Sequence, residues 1–168
     1  MNESYRLNVF SDGFGAFICL LLMVYLISER KRRERTNTWY FGMVASGFMI
    51  CISDMAFYFA CGRSGTIAFH AMTLGTQLYF IFTGSIMFTY THYLRAVIHK
   101  KRPNSHYVLL SASLVSSVIS ALFALVSPFT GWFFYVSPGV NEYHRGTLFL
   151  LMEGLSAIFY IVSIISLI

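Results

Sequence analysis

Phe14-Gly15-Ala16-Phe17-Ile18-Cys19-Leu20-Leu21-Leu22-Met23-Val24-Tyr25-Leu26-Ile27 runs directly into Ser28-Glu29-Arg30-Lys31-Arg32-Arg33-Glu34-Arg35, and this junction decides the fold. The apolar half belongs to a run from Leu7 to Ile27. A helix of about 20 apolar residues crosses a hydrocarbon core about 30 Å thick. The charged half places five Lys/Arg immediately after that run, where anionic headgroups attract them. A cleaved leader carries its positive charge ahead of its apolar segment, whereas here the charge follows, which predicts a retained anchor.

Outward from this junction, four more runs are long enough to cross: Trp39 to Cys61, Ala68 to Leu94, Tyr107 to Ser127 and Thr147 to Ile168. Composition agrees, because only 11% of residues are charged against about a quarter in soluble proteins, so lipid is the expected solvent. The expectation is an all-α, multi-pass cell-membrane protein of five transmembrane helices in one domain, residues 1–168. Nine Lys/Arg (five after the first run, then Arg95, Lys100, Lys101 and Arg102) fall on one side; Arg6, Arg63 and Arg145 fall on the other. The positive-inside rule then puts the N-terminus out and the C-terminus in. Trp39, Tyr40, Tyr90 and Tyr93 anchor the inner interface in this reading, and Trp132 and Tyr135 the outer one.

The net charge of +5 sits in two short blocks rather than along a groove-facing helix, so no nucleic acid is expected. Cys19, Cys51 and Cys61 have neither the parity of a disulfide framework nor the spacing of a zinc site. No nucleophile elbow, zincin helix, P-loop or dinucleotide fingerprint is present, and no catalytic residue or cofactor is assigned. In the fourth run, Ser113, Ser117 and Ser120, or Ala112, Ser116 and Ser120, share a face, and small residues of this kind let helices pack closely in lipid. Gly42 and Ser46 in the second run read the same way.

With this topology the intramembrane polar groups gather in the outer half. Asp12 and Asp54 lie toward the outer ends of the first two runs, His70 and Gln77 in the outer part of the third, and Glu153 about two turns into the fifth. An ionised carboxylate in hydrocarbon costs a few kcal/mol or more, so these groups should face the interior and find partners, with Arg145, Arg63, His144 and His70 to hand. Three alternatives stay open: an acid–arginine lock on the bundle, a ligand or ion pocket, and a proton path. His70, His144, Asp54 and Glu153 are metal-ligand types without short ligand spacing, so no metal is assigned.

The loop 128–146 is unusually aromatic. Gly131-Trp132-Phe133-Phe134-Tyr135 and Tyr143-His144-Arg145-Gly146 flank the turn signal Ser137-Pro138-Gly139, which predicts a short hairpin or lid over the outer helix ends. Trp132, Phe134, Tyr135, Asn141, Tyr143, His144, Arg145 and Gly146 resemble the pattern of bacterial membrane sensor regions that precede diguanylate cyclase (GGDEF) or histidine kinase domains. Asp54 late in the second run and Gln77-Leu78-Tyr79 in the third are similar too. The resemblance covers nearly the whole chain, its distinctive part being Tyr143-His144-Arg145-Gly146; the family's Asp in the turn is replaced here by Val136-Ser137-Pro138. It implies an input domain of about seven helices, of which this chain would be a fragment or a truncated product. It also implies signal transduction to a cytoplasmic output and homodimerisation through that missing domain. The candidate ligand-binding residues are Arg145, His144, Tyr143, Glu153, Asp54, Gln77, His70 and Trp132, with an unknown small ligand at the outer face. The main rival reading is a small transporter or channel-like protein, and a third is a structural membrane subunit that partners another chain.

Overall fold

The computed structural model describes residues 3–28, 35–98, 107–151, 153, 154, 156, 157 and 161. Four long helices dominate it: α1 (Glu3–Ser28), α2 (Arg35–Ala60), α3 (Thr66–Ile98) and α4 (Tyr107–Thr130). All four are long and apolar enough to cross a membrane. Their bounds lie close to the apolar runs, because a segment dominated by apolar residues keeps its backbone hydrogen bonds internal. Of the expected fifth helix, residues 149–151, 153, 154, 156, 157 and 161 are helical; Thr147 and Leu148 are a turn, and the other residues of the run lie outside the described residues. The basic block Glu29–Glu34 and its counterpart Lys100–Arg102 lie outside them as well.

The helices pack in chain order, α1 on α2, α2 on α3 and α3 on α4. Within the protein 6% of the α1 span is buried against 33% of the α3 span, so α3 is the central helix and α1 the peripheral one. The exposed side of α1 carries Leu7, Phe10, Phe14, Phe17, Leu21, Val24 and Ile27, an apolar exterior compatible with a lipid surround.

Small residues make the seams. A methyl group on Gly75 of α3 would meet Ser53 O of α2 at 2.8 Å, and one on Gly84 would meet the Ser117 backbone of α4 at 3.3 Å. On α4, Ser113, Ser117, Ser120, Ala124 and Ser127 follow a 4-3-4-3 spacing, and all but Ser117 are fully or nearly fully buried. The first of the two serine faces is therefore the packed one. Ser117 Oγ donates to Gly84 O at 2.6 Å and Ser120 Oγ to Phe80 O at 3.2 Å. Elsewhere hydroxyls bond back to the carbonyl four residues earlier, as Ser46, Ser53, Thr76, Thr83 and Thr91 do, which satisfies them within their own helix.

The loop 128–146 is mostly structured and adds the expected short hairpin to an otherwise helical fold. Helix α4 continues through Pro128 to Thr130, closing with Gly131 N donating to Ser127 O at 2.7 Å. Strands β1 (Phe134–Ser137) and β2 (Glu142–Arg145) then form an antiparallel hairpin in the register Phe134↔Arg145, Tyr135↔His144, Val136↔Tyr143 and Ser137↔Glu142. The fifth segment also starts later than expected: Thr147 and Leu148 form a turn, and Phe149 is the first helical residue. Gly146 N donates to Phe133 O and Leu148 N to Trp132 O, which pins the segment's start to the hairpin base. A side chain on Gly146 would overlap Trp132 O, so this crossing requires glycine.

The hairpin sits over one end of the bundle. Phe133 and Phe134 are buried against Phe80 of α3 and Ala124 of α4. Asn141 is 3% exposed at the hairpin turn, and its Nδ2 donates to Arg63 O at 2.9 Å and Gly65 O at 3.0 Å. The hairpin is thereby tied to the α2–α3 connection. At the opposite end Trp39 stacks on His92, with ring centroids 4.0 Å apart, and Tyr40 meets Tyr93. His106 lies outside the described residues.

Candidate functional site

A strand's side chains alternate between two faces, and this alternation sorts the segment Tyr143-His144-Arg145. Tyr143 and Arg145 share the face of Phe134 and Val136, which turns toward the helices. His144 falls on the other face, stacked on Tyr135 with centroids 4.7 Å apart.

Beneath the inward face lies a cavity of about 340 Å³. Its polar lining is Asp54 from α2, Thr76 and Tyr79 from α3, Tyr143 and Arg145 from β2, and Glu153 from the fifth segment. Helical spacing explains the rest of the wall. Phe57 and Tyr58 follow Asp54 by three and four residues and so share its face, as Phe80 does with Thr76 and as Phe149 does with Glu153. Gly75, also in the lining, lets α2 approach. A second cavity of about 270 Å³ shares Tyr79, Phe80 and Glu153 and reaches on past Ile50, Thr83 and Ile86.

The charges are arranged without mutual pairing. The Arg145 guanidinium lies 4.7 Å from the centroid of the Phe149 ring, a cation–π contact. Among the described residues no ion pair joins Arg145 to Asp54 or Glu153. Asp54 instead neighbours the carboxyl of Asp12 on α1. Asp12 Oδ2 is buried and has no hydrogen-bond partner. Burial pushes the Tyr143 phenol above its ordinary value, offset only in part by Arg145, so it is a neutral donor beside these charges.

Four of the eight candidate residues thus meet at one cavity: Asp54, Tyr143, Arg145 and Glu153. The other four do not line it. Gln77 faces α4, where Nε2 reaches Ala124 O at 3.4 Å and Leu125 O at 3.3 Å. Pro128 has no N–H to give the Ala124 carbonyl, and Gln77 supplies a donor in its place. His70 is exposed with its ring edge against Phe69, and Trp132 packs on Phe123. Phe57, Tyr58, Thr76, Phe80 and Phe149 also line the cavity without having been singled out by the sequence; for the four aromatic residues the available signal is a position three or four residues from a polar one.

The chain matches no family model, no curated protein and no solved structure.

Proposed function

We propose that the chain is a membrane-embedded sensory input domain, with the N-terminus out and the cavity opening at the outer face. On this reading a small ligand enters beneath the hairpin, and the signal passes through the bundle to a cytoplasmic output such as a diguanylate cyclase or a histidine kinase. The observation that carries the reading is the cavity lined by Asp54, Tyr143, Arg145 and Glu153, in which the arginine is not used to lock the acids. Intramembrane ionisable groups without mutual partners are expensive, and function is the usual reason they persist. The resemblance of the hairpin segment to bacterial sensor regions supports the same assignment, and with it homodimerisation through the output domain.

The mechanism is a population shift. A ligand that fits one packing of α2, α3 and the fifth segment better than another moves the equilibrium by its differential affinity, and the far ends of these helices move with it. Nothing catalytic is assigned to the described residues.

The second cavity, continuing past Phe80 toward Ile86, favours a transporter as the alternative. Both readings are tested in right-side-out vesicles with an environment-sensitive dye on Thr38→Cys, at the bundle end opposite the cavity. Small molecules are added outside. A dye response that Arg145→Lys abolishes without loss of folded protein is expected for a sensor. Accumulation of the molecule inside the vesicle with an unchanged dye signal would replace sensing by transport.

A further inference from the structure

The geometry points to a small organic cation, an amine with an aromatic or apolar body, as the occupant of the cavity. This rests on reading the cavity as a ligand site. Asp54 and Glu153 line it against a single guanidinium. Asp12 of α1 stands beside Asp54 and adds a further carboxyl behind this wall, so acids outnumber the one cation. Arg145 does not cancel this excess by contact: its guanidinium lies over Phe149 and pairs with neither acid. An anionic ligand would have to approach two acids, and like charges repel. An ammonium instead supplies the donors that the acids lack.

The walls suit the body of such a ligand. Phe57, Tyr58, Tyr79 and Phe80 present ring surface beside Asp54. Phe57 meets Tyr143 edge-to-face with centroids 5.4 Å apart, and Tyr79 meets Phe80 likewise at 5.6 Å. Rings at right angles offer both faces and edges, and ring faces attract cations. A cavity of about 340 Å³ is of the size that holds a single small molecule. Asp54, half-buried against α1, is the primary acceptor, and the exposed Glu153 adds field at the mouth.

The test uses three probes with one shared body and different charge: phenethylamine, 2-phenylethanol and 3-phenylpropionate. Binding to the protein in lipid nanodiscs is measured by calorimetry, with empty nanodiscs to subtract partitioning. We expect the amine to bind about tenfold or more tighter than the alcohol, and the acid not to bind, the margin being that of one charge-assisted hydrogen bond. Asp54→Asn should bring the amine down to the level of the alcohol while leaving the alcohol unchanged, which a misfolded variant would not do. If the acid binds as well as the amine, or the alcohol equals it, the cation assignment is overturned and the ligand site stands. Binding of none of the three overturns both.

Discussion

Ser127 shows how a single hydroxyl can set the geometry of the site. It is fully buried at the end of α4, where Oγ donates to Phe134 O and accepts from Phe133 N and Phe134 N, each at 2.9 Å. A hydroxyl has one donor and two acceptor sites, so its capacity is filled. These bonds hold Phe133 and Phe134 against Phe80, and the strand that begins there carries the register that points Tyr143 and Arg145 inward. Ser127→Ala leaves two buried backbone donors without this partner. It is expected to cost about 2–3 kcal/mol, read as a lower midpoint in denaturant titration of the protein in detergent micelles. A loss below about 0.5 kcal/mol would mean that the hairpin is held mainly by its rings.

At the scale of elements, the α3–α4 seam owes part of its stability to a defect in α4. Pro128 deprives the Ala124 carbonyl of its helical donor, and Gln77 of α3 reaches across to it and to Leu125 O. The two residues should therefore be coupled. Gln77→Leu alone is expected to destabilise by about 1–2 kcal/mol, because a carbonyl away from water is left unsatisfied. In a Pro128→Ala background the restored N–H takes over, and the same change should cost less than half as much. Additivity of the two substitutions in a double-mutant cycle would show that Gln77 makes no such repair. The consequence for the site is indirect: Gln77 fixes α3 against α4, and α3 carries Thr76, Tyr79 and Phe80 into the cavity.

For the whole molecule, the charge count forecasts which end faces out. Asn141 is buried and bonded to the α2–α3 connection, which makes it a poor reporter, whereas its neighbour Val140 is 71% exposed. With Cys19, Cys51 and Cys61 replaced, Val140→Cys in intact cells should react with a membrane-impermeant maleimide and Thr38→Cys should not. Reversed labelling would place the hairpin and its cavity inside, and an outer ligand could then no longer be proposed.

How much of this was written in the chain differs between levels. The four long helices were legible, because apolar run length is a property of sequence alone and the backbone's need for internal hydrogen bonds leaves little choice once the solvent is apolar. The hairpin was legible as well, from Ser137-Pro138-Gly139 between two aromatic arms. The serine faces of α4 were only half legible, since two registers fitted and the glycine at position 84 of a different helix selected one. The site was least legible. Periodicity marks a helical face as polar or apolar without saying which neighbour that face will meet. Gln77 and Asp54 both looked like intramembrane polar groups, yet one bonds α4 and the other lines the cavity. In Tyr143-His144-Arg145, strand pairing turned the outer two residues inward and left His144 stacked on Tyr135, a choice fixed by the register with β1. Sequence alone determined the elements, because they answer to local hydrogen bonding and solvent. Which polar groups meet was decided by tertiary structure, because it depends on how close glycine and serine allow two helices to come.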